Sequence, residues 1–130
     1  MIPKFFVAAL LVAHGLIHLG FVSPRPAPRP GVPPWPFDLE TGPLAASGRV
    51  ARPRLHSLGR YLVTAVLVGY SLAALGALGI LSTTAFPVGV VIGSLASLAL
   101  LLAGFHRWLL IGIVIDVALL VLVVAGWRPS

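Results

Sequence analysis

Long apolar tracts, interrupted at a few points by histidine, arginine and proline, set the organisation of this chain. A helix that crosses the hydrocarbon core of a bilayer needs about 20 apolar residues. Four segments meet or approach that length: 5–22, 58–80, 87–104 and 108–126. The last two come from one apolar tract that would be about 60 Å long as a single helix, twice the hydrocarbon thickness. It must therefore fold back, and "GFHRW" (104–108) is its polar interruption. Pro87 suits a first helical turn and Gly104 suits a helix end. The pattern predicts an all-α, integral membrane four-helix bundle running up-down-up-down, with both termini on one side.

Composition agrees with the pattern. Of 130 residues, 58% are hydrophobic and 9% are charged, too few charges to cover the surface of a soluble domain. Mean hydropathy is +1.05. The absence of cysteine excludes thiolate metal sites, disulfides and iron–sulfur ligation. The formal charge of +6 does not point to nucleic acid, because the basic residues sit between spans, where topology signals belong. Lys4 and Arg128 flank the termini. Arg25, Arg29, Arg49, Arg52, Arg54, Arg60 and Arg107 lie at the other end, a bias of seven to two. The positive-inside rule then places the first loop and the turn between spans three and four in the cytoplasm, and both termini outside. Lys4 and the following apolar run also resemble a signal peptide. "FVSPRPAP" is a poor cleavage context, however, and two histidines are unusual in such a core, which favours a retained span.

Segment 23–54 is the one sizeable stretch outside the spans. Its first part, "SPRPAPRPGVPPWPFDLETGP", holds eight prolines and excludes a regular helix or a central strand. Its apolar and aromatic residues suit a cover at the membrane interface better than a polyproline partner motif. Small residues recur at four-residue spacing, Ala65, Gly69, Ala73 and Ala77 in span two and Gly89, Gly93 and Ser97 in span three. Such seams let helices approach closely in lipid, either within one bundle or between copies in a homodimer or larger membrane complex.

Ionisable residues in a bilayer are costly, so their placement is informative. His14 and His18 are one turn apart on a single face of span one. Asp116 lies within span four. Counted from the loop end, His14 and Asp116 are both eight residues deep, about 12 Å at the helical rise, and spans one and four of such a bundle are neighbours. His14 is therefore expected to meet Asp116. His56, Arg60, Thr64 and Ser71 share a face of span two, while His106 and Arg107 occupy the 3–4 turn. Several readings follow. His14, His18 and Asp116, with His56 or His106 as further ligands, form a nitrogen and oxygen donor set that suits zinc, iron or manganese. Haem held between two elements, as by His18 and His106 with Arg60 or Arg107 near the propionates, is a second form of the same reading. Arg60, Thr64 and Arg107 would line the pocket. A proton or small-molecule path is another reading, although matched Gly/Pro-broken helices of the transporter kind are not evident. The bland alternative is an accessory or scaffold subunit whose buried polar groups pin helix register. Ser71, Ser94 and Ser97 read as packing residues, and Tyr61 and Tyr70 show no clear partner. No nucleophile elbow, phosphate loop or HExxH motif is present.

"AHGLIHLGFV" (13–22), "PWPFDL" (34–39) and "FHRWLLIGIVIDVALLVLVV" (105–124) resemble a group of small bacterial four-span membrane proteins. The resemblance covers most of the chain and implies four spans in a bacterial inner membrane. It brings no known activity and no catalytic residue. A looser similarity is to the DoxX-like four-span proteins, some of which are membrane oxidoreductase subunits, and it rests on size and a histidine-bearing first helix.

Overall fold

The computed structural model describes residues 2–130. Its long helices are α1 (Lys4–Ile17), α3 (Arg52–Ala77), α4 (Ala85–Ala103) and α5 (Leu110–Val124), and a single helical turn, α2 (Pro43–Ala46), lies in the first loop. A 3₁₀ turn extends α1 through His18–Phe21, and another, Arg107–Leu109, leads into α5. The four long units, counted with their 3₁₀ turns, are each long and apolar enough to cross a membrane. The fold is that of a multi-pass membrane protein, a bundle of four helices.

Helix ends and membrane ends are separate things, which explains one difference from the hydropathy pattern. α3 begins at Arg52, six residues before the apolar run, with Pro53 in its first turn, where a missing N–H costs nothing. Arg52, Arg54 and His56 thus ride on a helical extension of the span. At the far end of α5, Gly126 has φ of +77°, a left-handed conformation that ends helices and favours glycine.

α4 packs along α3, α1 packs on α3, and α5 packs on α4. The α3–α4 seam is built from the two small-residue stripes, which face each other within one chain. A methyl group at Gly69 would lie 2.7 Å from Gly93 Cα and 3.0 Å from the Gly89 carbonyl oxygen, so the two backbones are as close as glycine allows. The buried face of α3 is Leu55, Gly59, Val63, Val66, Tyr70, Ala73 and Ala77, a three–four repeat that marks one side of a helix. α1 buries Val7, Leu11, His14 and His18 at the same spacing. α5 is different: within it only Asp116 and Leu119 are buried, while Ile111, Val114 and Val121 point outward.

Each end of the bundle is closed in its own way. At the terminal end the Lys4 N–H donates to the Ser130 carbonyl (3.0 Å), the Arg128 guanidinium donates to the Thr83 carbonyl, and Trp127 meets Phe86 edge-on. At the other end the proline-rich loop turns back over the helices. Leu39 is buried with Val63 and Leu100. Gly42 lies against the backbone of Ala103 and Gly104, and Gly20 lies under the Phe37 ring. Trp35 packs on Phe37 and donates its indole N–H to the Gly20 carbonyl (3.4 Å). The loop is therefore a folded cover over this end of the bundle.

Candidate functional site

All four long helical units send a polar side chain to one point in the bundle. α5 contributes Asp116, which is fully buried. Its Oδ1 accepts from the His14 Nε2 of α1 at 2.9 Å and from the Tyr70 hydroxyl of α3. Its Oδ2 meets the Ser97 Oγ of α4 at 2.5 Å. Ser97 Oγ also lies 2.7 Å from His18 Nε2, and His18 Nδ1 donates to the His14 carbonyl at 2.9 Å. Ser94 Oγ lies 3.1 Å from the Tyr70 hydroxyl. The rings of His14 and His18 meet edge to face, 5.1 Å between centroids.

Local sequence explains why these groups can converge. His14 and His18 extend the buried stripe of α1 through Leu11, so burying that stripe buries them too. Gly93 makes room for Tyr70: a methyl group there would lie 2.8 Å from the tyrosine ring. Gly112, one turn before Asp116, lets α5 approach α4 closely, since a Cβ at that position would lie 3.0 Å from Leu101 Cδ1, while His14 Cε1 would be at an ordinary contact distance of 3.6 Å. The narrow apolar cage leaves the polar atoms only one another, and among the described residues no buried side-chain nitrogen or oxygen lacks a hydrogen-bond partner. That full pairing is what makes a buried polar network tolerable in a low-dielectric medium.

The structure thus unites His14, His18 and Asp116. It also corrects the reading of Tyr70, Ser94 and Ser97, which bond within the cluster rather than serving only as packing. The signal for Tyr70 lay in its place on the buried Val63–Val66–Tyr70–Ala73 repeat. The polar face assigned to span two turns outward instead: Thr64 and Ser71 are exposed, and the Thr64 hydroxyl is satisfied by the Arg60 carbonyl at 2.8 Å, a self-contained helical bond. His106 sits at the 3–4 turn, where its Nδ1 accepts the Trp108 N–H (3.3 Å), and Arg107 beside it is exposed. No group of three or more His, Asp or Glu side chains is arranged to hold a metal ion among the described residues.

His56 and Arg60 belong to a second polar group, at the loop end. They line a cavity of about 470 Å³ with Arg25, Phe37 and Glu40. His56 Nε2 lies 2.8 Å from Glu40 Oε1. Arg25 reaches Asp38 at 2.7 Å and Glu40 at 3.5 Å. Asp38 also accepts the Glu40 N–H and the Thr41 hydroxyl, both at 2.9 Å, which fixes the turn that delivers Leu39 to the core.

Comparison of this chain with protein-family models, with curated proteins and with solved structures gives no match.

Proposed function

We propose that the chain is a structural subunit of a membrane, a scaffold whose His14–His18–Tyr70–Ser97–Asp116 cluster locks four helices in register rather than carrying out a reaction. The closure of the cluster is the observation that carries this reading. Both Asp116 oxygens, His14 Nε2 and both nitrogens of His18 have partners inside the protein. Apolar side chains give helices in lipid little drive to associate, so a shared polar group of this kind supplies register. A transition metal or haem on His14, His18 and Asp116 is the competing proposal, and it requires these atoms to give up their present partners. Elemental analysis and a visible spectrum of untagged protein purified from its native membrane decide between them. The scaffold reading expects no stoichiometric metal, no Soret band and a lower unfolding temperature for Asp116→Ala. One metal or haem per chain, lost in His14→Ala and Asp116→Ala, would overturn it.

The same reading places the loop end in the cytoplasm of a bacterial inner membrane. Seven of the nine basic residues lie at that end, as the positive-inside rule requires. The resemblance to small bacterial four-span proteins points to the same membrane. The chain has no native cysteine, so single-cysteine variants report sidedness cleanly. Ala27→Cys is expected to resist a membrane-impermeant maleimide in intact spheroplasts, and Ser82→Cys is expected to react. The reverse pattern would invert the topology.

A further inference from the structure

Hydrogen atoms can be counted around Ser97, and the count does not close with an ionised Asp116 and two neutral histidines. The His14 carbonyl only accepts, so His18 Nδ1 carries a proton. Ser97 has a single hydroxyl hydrogen but two short contacts, 2.7 Å to His18 Nε2 and 2.5 Å to Asp116 Oδ2. It donates to one of them. The other contact needs a hydrogen from its partner, either from His18 Nε2 or from Asp116 Oδ2. Without that hydrogen, two lone pairs face each other at hydrogen-bonding distance in a buried site, a costly unpaired arrangement.

We propose that Asp116, Ser97 and His18 together form a proton-binding site that holds one proton in the membrane interior. It has two forms. In one, Asp116 is a neutral acid that donates through Oδ2 to Ser97, and Ser97 donates to neutral His18. In the other, Asp116 is a carboxylate accepting from Ser97, and His18 is an imidazolium donating to Ser97. They interconvert when the Asp116 O–H breaks as a new Ser97 O–H forms and the original Ser97 hydrogen passes to His18 Nε2. Atoms and charge balance, and both forms are neutral overall. Neutrality is the physical reason for the proton. The groups that face the site are His14 and His18 from α1, Tyr70 from α3, Ser94 and Ser97 from α4 and Asp116 from α5. None is Lys or Arg, and among the described residues no basic side chain other than His14 pairs with Asp116. A carboxylate left with neutral histidines would be a net charge within the bilayer, which is expensive. His14 Nε2 and the Tyr70 hydroxyl both serve Oδ1, leaving Oδ2 to Ser97.

This inference rests on the metal-free reading of the cluster, and the test separates the two. The full chain is labelled with ¹³C-carboxyl aspartate and ¹⁵N-histidine, reconstituted in bilayers and studied by solid-state NMR at neutral pH. It contains only two aspartates, Asp38 and Asp116, so Asp38→Asn assigns the signals. The expected result is a protonated Asp116 carboxyl, a doubly protonated His18, or an exchanging mixture whose fractions sum to one proton. An ionised Asp116 beside a singly protonated His18 in metal-free protein would overturn the shared proton alone. Stoichiometric metal in the same sample would overturn both readings. Asp116→Asn gives an independent check, because its amide N–H stands where the acid O–H stands. That variant is expected to stay folded, unfold close to the parent temperature and hold His18 neutral. Destabilisation equal to that of Asp116→Ala would contradict the proposal.

Discussion

Two histidine–carboxylate pairs of nearly equal length occupy very different places in this molecule. His14 and Asp116 are 2.9 Å apart with side chains 5% and 0% exposed. His56 and Glu40 are 2.8 Å apart with side chains 61% and 25% exposed. Distance alone would rank them together; surroundings rank them far apart. The outer pair is wetted, screened by salt and shared with Arg25, and such pairs contribute little. The inner pair is shut away from bulk water. Removing one member leaves the others without partners, so its loss is large even if forming the whole cluster gains little over an apolar replacement.

The sharpest way to break the comparison is Asp116→Ala, which removes the carboxyl partner of His14, Tyr70 and Ser97 at once. Loss of one partner of a buried pair costs about 3–5 kcal/mol, and that loss is expected in reversible denaturant unfolding in detergent. A cost below about 1 kcal/mol, the level of an exposed pair, would erase the distinction. Tyr70→Phe keeps the ring against Gly93 and removes only the hydroxyl. Its expected cost is about 1–2 kcal/mol, the range for a single buried hydrogen bond in water or membrane, read by the same method. Glu40→Gln is the smallest: a shift of at most about 1 kcal/mol. The Glu40 effect should shrink further in high salt, while the Asp116 effect should hold, because buried charges are screened much less.

The α3–α4 and α5 interfaces differ along the same line. α3 and α4 meet backbone to backbone through glycine, and Gly69→Leu is expected to abolish the compact fold, seen as aggregation on size-exclusion chromatography in detergent. α5 has only Asp116 and Leu119 buried along its length. Asp116→Ala should therefore free α5 selectively, so that amide exchange rises in Leu110–Val124 before it rises in α3 or α4.

The four spans were legible in the sequence because hydropathy over about 20 residues is dictated by the bilayer itself. The His14–Asp116 contact was legible for a similar reason: helical rise converts residue count into depth. Tyr70, Ser94 and Ser97 were not, since uncharged hydroxyls sit among apolar neighbours without an obvious signal, although the register of Tyr70 with Val63 and Ala73 held one. The Arg60–Thr64–Ser71 spacing is truly helical yet faces outward, and spacing cannot say which way a face points. His56 found Glu40 through an irregular proline-rich loop, where no period links the partners.

The most direct test of a four-helix polar junction is a double-mutant cycle between Tyr70→Phe and Asp116→Ala, on α3 and α5. Unfolding free energies of the parent, both single variants and the double variant are compared in one detergent. Residues in one hydrogen-bond network couple by about 0.5–3 kcal/mol, and a coupling in that range is predicted here. Strict additivity would show that Tyr70 and Asp116 act apart, and the junction would not exist.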